Sequence, residues 1–93
     1  MDKIEGMSKY LKAIADPTRL KIIKLLNSNK PLCVNAIAKR LNLTQSAISQ
    51  HLRILRQLNL VSGNKMGYYI HYQINKNEMT KFSRLFSEII LKN

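Results

Sequence analysis

The stretch from Thr44 to Leu58, TQSAISQHLRILRQL, constrains the fold of this chain more than any other. Read as a helix at about 100° per residue, it places its polar side chains within one arc of about 140°. These side chains are Gln45, Ser46, Ser49, Gln50, Arg53, Arg56 and Gln57. The opposite side is apolar and holds Ala47, Ile48, Leu52, Ile54, Leu55 and Leu58. One face is therefore expected to be buried, and the other to contact a polar partner.

The polar face of this helix has an unusual chemical character. It has no acidic residue, it begins with short amide and hydroxyl side chains, and all its charges are arginine. Glutamine pairs in bidentate fashion with adenine, serine bonds to bases or phosphates, and arginine prefers guanine or phosphate. The major groove of DNA is wide enough to admit a helix that carries these groups. The pattern therefore predicts a recognition helix.

The distribution of charge supports a polyanionic partner. The 93 residues carry a net charge of +11, and ten Lys or Arg residues but no Asp or Glu lie between Pro17 and Asn77. The five acids lie towards the two ends, at Asp2, Glu5, Asp16, Glu78 and Glu88. Solubility alone does not require that acids be excluded from the middle of a chain. The middle is therefore expected to face nucleic acid.

Several classes of protein are disfavoured by the composition. The chain has no apolar run long enough to span a membrane, no signal peptide, and one cysteine, which excludes an internal disulfide. A cytoplasmic protein is the simplest expectation. No acid lies near His51 or His71 in the sequence, and there is no glycine-rich phosphate loop. An enzyme is therefore not predicted, and neither is a cofactor.

Four further helices are predicted, and one of them completes a helix-turn-helix. Apolar side chains recur at helical spacing in each, and Asp16-Pro17 and Asn75 are typical helix starts. The predicted helices are Asp2–Ala15, Pro17–Asn27, Cys33–Leu41 and a last one from Asn75. The short break at Asn42-Leu43 separates the third helix from the recognition helix, whose N-cap is Thr44. This is the helix-turn-helix pattern.

A β-hairpin is predicted after the recognition helix. Side chains alternate with a period of two from Tyr68 to Ile74, and Leu60-Val61 supplies a partner strand. The turn-rich segment between them, residues 62–67, contains Lys65. Such a hairpin is the wing of a winged helix. A hairpin that only covers the core is the alternative, and Lys65 favours phosphate contact.

The two terminal helices carry more apolar surface than a 93-residue monomer hides easily, so they are expected to pack on each other and on a second subunit. The predicted fold is mainly α with a small β-hairpin, in the order four helices, two strands, one helix. Residues 1–93 form one domain, with dimerisation helices at 1–15 and 76–93, the helix-turn-helix at 33–58 and the wing at 60–74. A two-fold dimer places its recognition helices roughly 34 Å apart and favours a palindromic site.

Three segments resemble the ArsR/SmtB family of winged-helix bacterial and archaeal transcriptional repressors. They are ADPTRLKIIKLL (15–26), AIAKRLNLTQSAISQHLRILRQLNLV (36–61) and HYQI (71–74), in one register over nearly the whole chain. The resemblance implies a homodimer with its first and last helices at the interface. It also implies binding to an operator in double-stranded DNA, which blocks transcription until a metal ion or another signal releases the protein.

The resemblance also assigns roles to residues. The family's base-reading positions fall on Gln45, Ser46, Ser49 and Gln50, while Thr44 and Arg53 suit nearby phosphates. Lys65 suits a phosphate or the minor groove at the wing, where Tyr68 replaces the arginine common after the wing glycine. His51 has a helical angle among the buried residues, so it is predicted to be a packed histidine that is hydrogen-bonded inside the domain.

The sensor sites of the family are not matched. Cys33 falls on the first cysteine of the family's thiol metal site, but Asn35 replaces the second, and the last helix has no histidine. Soft metals need two to four thiolate or imidazole ligands, so no metal site is predicted. Cys33 remains a candidate redox switch, because a thiol near a helix N-terminus can be reactive. The alternative is a small buried hydrophobe, and the effector is not identified.

The predicted function is that of a sequence-specific DNA-binding repressor that acts as a homodimer on a palindromic operator. One alternative is a non-specific or architectural nucleic-acid-binding protein, which would need an aromatic stacking surface or a minor-groove wedge. Only Tyr68, Tyr69 and Tyr72 could supply it, and their alternation suits strand packing. The other alternative is a winged-helix module for protein interaction, against which the basic recognition face argues.

Overall fold

A computed structural model describes residues 2–28 and 30–92 of the chain. The helices are α1 (Lys3–Ile14), α2 (Pro17–Asn27), α3 (Val34–Leu41), α4 (Gln45–Gln57) and α5 (Lys76–Phe86), which continues as a π-helical turn, Ser87–Leu91. The strands are β1 (Leu32–Cys33), β2 (Val61–Met66) and β3 (Tyr69–Ile74). Met1 and Asn93, which the predicted terminal segments include, lie outside the described residues.

Side-chain caps fix the helix starts. The Asp16 carboxylate accepts a hydrogen bond from a backbone N–H in the first turn of α2, and the Thr44 hydroxyl and the Asn75 amide oxygen do the same for α4 and α5. Such caps satisfy backbone donors that the helix itself leaves without acceptors. The three predicted starts are therefore confirmed. Cys33 is the N-cap residue of α3 but makes no capping side-chain bond, and the helix begins one residue later than predicted.

The wing differs from the predicted hairpin in two respects. The segment 62–67 was expected to be a loop, but β2 runs to Met66 and the turn is Gly67-Tyr68. Serine, glycine and asparagine there resemble a loop in composition, yet each residue from Val61 to Met66 pairs with β3. Gly67 has φ +67°, which glycine adopts without strain. The sheet also has a third strand, β1, and its order is β1-β3-β2.

The core lies between the three middle helices and the base of the wing. Its most deeply buried large side chains are Ile22, Ile37, Ile48, Leu52, Leu55 and Leu60. Three of these belong to α4, so the apolar face of that helix is packed and its polar face points outwards. Ile54 was expected on the buried side, but it is 37% exposed and lines a groove towards α1 with Lys9 and Lys12. It lies at the edge of the apolar arc of α4.

The two terminal helices pack on each other, as predicted. The rings of Tyr10 and Phe82 meet edge to face at 5.4 Å, and Lys3 forms a 2.7 Å ion pair with Glu88. Tyr10 donates a hydrogen bond to Glu78, and burial together with that carboxylate raises the pKa of Tyr10 to about 12. No residue of α5 is fully buried, although its apolar face is broad. Within the described ranges, no helix has the length and apolar character needed to cross a bilayer.

Candidate nucleic-acid interface

The exposed face of α4 carries the side chains predicted to read DNA. The capping hydroxyl of Thr44 stands at its N-terminus. Every predicted contact residue of this helix is exposed: Gln45, Ser46, Ser49, Gln50 and Arg53. They lie opposite Ile48, Leu52 and Leu55, which are buried. The structure therefore brings these side chains together on one outward surface, and their contacts with bases or phosphates stay a prediction.

A cleft between α4 and the wing extends this surface. It is lined by Ser49, Arg53, Arg56, Gln57 and Tyr72, and we call it the arginine cleft. The guanidinium of Arg56 lies 5.8 Å from the ring centroid of Tyr72, a cation–π distance. Two arginine side chains that line one cleft suit a phosphate, because a guanidinium can bind a phosphate in bidentate fashion. The sequence predicted that Arg56 lies on the polar face of α4, but no pattern in it indicated a contact between Arg56 and Tyr72 of β3.

Lys65 lies near the tip of the wing, on the strand before the turn. It pairs with Ile70 and is exposed. Because residues two apart in a strand share one face of the sheet, Lys65 lies on the same face as Gly63, whose cross-strand partner is Tyr72. The lysine therefore shares the side of the sheet that faces the arginine cleft. The turn itself carries Tyr68, which is 97% exposed.

His51 ties α4 to the junction between the first two helices. Its Nδ1 lies 3.0 Å from Nη1 of Arg19, whose Nε donates to the carbonyl oxygen of Ala13. A guanidinium only donates, so Nδ1 accepts and the ring proton lies on Nε2. The prediction of a packed, hydrogen-bonded histidine is confirmed. The Asp16 carboxylate also accepts a hydrogen bond from the backbone N–H of Arg19 at 3.0 Å. We call the contacts of Arg19 with Ala13, His51 and Asp16 the Arg19 brace.

The acid response of the Arg19 brace follows from Asp16. The backbone hydrogen bond from Arg19 is the main cause that lowers the pKa of this carboxyl, and the charge of Arg19 adds to it. A lowered pKa stabilises the fold above the carboxyl's ordinary pKa and ceases to do so as pH falls through the lowered value. We expect Asp16→Asn, which keeps a capping oxygen, to be less stable than the unchanged chain at pH 7. This difference should shrink as pH falls below the ordinary pKa of an aspartate and vanish once the carboxyl is protonated in the folded chain, as urea unfolding from neutral to acidic pH would show. A difference that persists at the acidic end would contradict the assignment.

Comparison with known proteins decides the family. The model described as "Bacterial regulatory protein, arsR family" matches residues 16–62, from the cap of α2 to the start of β2. This chain belongs to the ArsR family. The match includes the helix-turn-helix and four of the five residues that line the arginine cleft.

Relatives and solved structures agree with the family. An uncharacterised HTH-type transcriptional regulator of Methanocaldococcus jannaschii is 37% identical to this chain. The match covers 96% of this chain and 100% of the relative. The transcriptional repressor PagR of Bacillus anthracis is 38% identical over 94% of this chain and 92% of its own. The homodimeric winged helix-turn-helix DNA-binding domain Mb0332 of Mycobacterium bovis superposes with a TM-score of 0.74 at 26% identity, over 95% of this chain and 78% of that one. The chain is therefore a transcriptional regulator with a winged helix-turn-helix fold.

Cys33, the predicted candidate for a redox switch, lies beside the start of α4. Cys33 is half-buried and lines a groove with Asn35, Gln45 and Tyr68. The amide Nε2 of Gln45 donates to Oδ1 of Asn35 at 3.0 Å. In the described part of the chain, no group of three or more His, Cys, Asp or Glu side chains could hold a metal ion. No pattern in the sequence indicated that Asn35 contacts a predicted base-reading side chain.

Proposed function

We propose that this ArsR-family protein is a repressor that binds a palindromic operator as a homodimer, with α4 of each subunit in the major groove. The observation that carries the proposal is the outward face of α4, which has no acid and which joins the arginine cleft. Gln45, Ser46, Ser49 and Gln50 read bases, while Thr44 and Arg53 contact phosphates. Lys65 contacts a phosphate beside the wing. The names of PagR, a repressor, and of Mb0332, a homodimer, support the assembly and the sign of regulation.

Apolar surface on the terminal helices supports the dimer. A groove between α1 and the π-helical turn is lined by Ile4, Met7, Leu11, Ile89 and Ile90 among others, and we call it the terminal-helix groove. Ile4 is 64% exposed and Ile90 is 48% exposed. A second copy of the chain would remove both from water, which favours association. The proposed dimerisation segments are residues 1–15 and 76–93, around a helix-turn-helix at 33–58 and a wing at 60–74.

Selection of binding sites from a random duplex library at about 150 mM salt tests the proposal, because non-specific binding is weakened at that ionic strength. The purified protein is kept reduced, so that Cys33 stays a thiol. We expect enrichment of an inverted repeat whose half-sites lie about one helical turn apart. Binding without an enriched sequence would contradict the repressor proposal and would favour the architectural alternative.

We also propose that the regulator acts in the cytoplasm and has no catalytic role.

A phosphate contact by Arg53 predicts a loss that does not depend on sequence. We expect Arg53→Ala to lower the affinity for the operator and for random duplexes by similar factors. The slope of log K against log salt should fall by about 1, because one fewer counterion is released. Fluorescence anisotropy titrations at several salt concentrations measure both effects. Lys21→Ala, an equal loss of charge at an exposed position of α2, is the control and should change the slope little. A loss confined to the operator would mean that Arg53 reads a base.

A further inference from the structure

Asn35 lies where two helix starts meet. It is the second residue of α3, and Gln45 is the first residue of α4. Both side chains are exposed, and Nε2 of Gln45 lies 3.0 Å from Oδ1 of Asn35. The Thr44 hydroxyl caps α4 by accepting a hydrogen bond from the Ala47 N–H, which fixes the backbone from which Gln45 projects. The amide of Gln45 is therefore held at its far end by a side chain from the other helix of the helix-turn-helix.

This hydrogen bond changes what Gln45 can offer to a base. A glutamine amide has two N–H donors and one carbonyl oxygen. Asn35 accepts one of the two donors, so one N–H and the oxygen Oε1 remain for DNA. Adenine presents one acceptor, N7, and one donor, the N6 amino group, in the major groove, whereas guanine presents two acceptors, N7 and O6. The remaining groups of Gln45 match adenine and can satisfy only one of the two acceptors of guanine.

We propose that Asn35 is a positioning residue that orients the amide of Gln45 and thereby selects adenine over guanine at one base pair of each half-site. The inference rests on the proposed function, in which Gln45 reads a base. Asn35 acts in two ways. It accepts a hydrogen bond from the second N–H of Gln45, which could otherwise donate to the second acceptor of guanine. It also restricts the three side-chain torsions of Gln45 in the free protein. Restriction before binding reduces the entropy that binding must remove.

The groove that contains Asn35 and Gln45 also contains Cys33 and the wing residues Tyr68 and Tyr69. The thiol therefore lies two residues from the side chain that orients the reading amide.

Binding-site selection with three variants tests the proposal. Gln45→Ala, Asn35→Ala and the double variant are compared with the unchanged chain, and the ratio of affinities for adenine and guanine is measured at each half-site position. We expect Asn35→Ala to lower this ratio about three- to tenfold at the one position that Gln45→Ala also affects, as loss of a single neutral hydrogen bond predicts. The double variant should match Gln45→Ala, because Asn35 acts only through Gln45.

Two further variants separate positioning from general damage. Asn35→Asp keeps the acceptor oxygen, so it should retain the adenine preference while its negative charge weakens binding to every duplex. Asn77→Ala is the matched control, because Asn77 is also an exposed second residue of a helix, in α5. It should leave every base preference unchanged. Circular dichroism of all variants verifies that the helices remain.

The outcomes are distinguishable. If Gln45→Ala lowers one base preference and Asn35→Ala lowers the same one, with no further loss in the double variant, the proposal holds. If Gln45→Ala lowers a preference that Asn35→Ala leaves intact, Asn35 is not a positioning residue, and the proposed function survives. A changed preference at a different base pair would show that Asn35 contacts DNA itself and would overturn the inference. If Gln45→Ala changes no preference, the base-reading role of Gln45 fails, and the inference fails with it.

Discussion

Replacing Ile4 and Ile90 together by glutamate is expected to convert the proposed dimer into a folded monomer. This monomer should bind a two-half-site operator about 100-fold more weakly or worse, because linkage of two reading heads raises affinity by a factor of about 100 to 10,000. Binding to a single half-site should change much less. Analytical ultracentrifugation measures the oligomeric state, and anisotropy titrations with full and half operators measure the two affinities.

The exposure of the two isoleucines explains why this variant should still fold. Both side chains are largely exposed in the single chain, so their replacement removes little from the monomer core. In a dimer formed through the terminal-helix groove, the glutamates would instead bury charges that have no partners, which is strongly unfavourable. The dimer should therefore dissociate while each subunit remains folded. Thermal unfolding followed by circular dichroism verifies that the variant is folded.

A matched control separates the groove from exposed apolar surface in general. Leu20 is 51% exposed, but it lies on α2 and does not line the terminal-helix groove. Leu20→Glu should remain a dimer. If the double variant of Ile4 and Ile90 also remained a dimer, the interface would lie elsewhere on the chain. If it became a monomer without any loss on the full operator, the two-half-site arrangement would be wrong.

The sequence was most informative where a pattern repeats within one element. The recognition helix was predicted at 44–58 and lies at Gln45–Gln57, capped by Thr44 as expected. Its apolar spacing and its cap both act over a few residues, so both can be read from the chain. Which residues at the border of the apolar face become buried cannot be read from the helix alone, because the neighbouring helices determine how far burial extends. Ile54 is the case in which this border was placed wrongly.

The sequence was least informative where the backbone or distant side chains decide. β1 has two residues, too few for any period, and Ser62 to Lys65 form a strand through pairing with β3 rather than through their composition. The Asn35–Gln45 hydrogen bond depends on the angle between two helices, and the contact of Arg56 with Tyr72 depends on how the wing folds back on α4. None of these contacts leaves a periodic signal in the chain.

Removing the Arg19 side chain is expected to lower the free energy of unfolding by about 2 kcal/mol, because two polar groups lose their partner at once. The carbonyl oxygen of Ala13 and Nδ1 of His51 both depend on this guanidinium. Both lie in partly buried surroundings, so water replaces the lost donor only incompletely. Urea unfolding at pH 7 measures the loss for Arg19→Ala. Lys21→Ala, an exposed change on the same helix, should alter stability by less than about 0.5 kcal/mol.

The geometry of the Arg19 brace predicts how related variants should behave. Arg19→Lys should restore at most one of the two contacts, because an ammonium lacks the planar fork that reaches both acceptors. His51→Ala should cost less when Arg19 is already alanine, with a coupling energy of about 0.5 kcal/mol or more. Because His51 belongs to α4 and Arg19 to α2, this coupling measures how strongly their contact ties α4 to the junction between the first two helices. Additive losses would mean that Arg19 and His51 do not stabilise each other, and that this contact does not hold α4 in place.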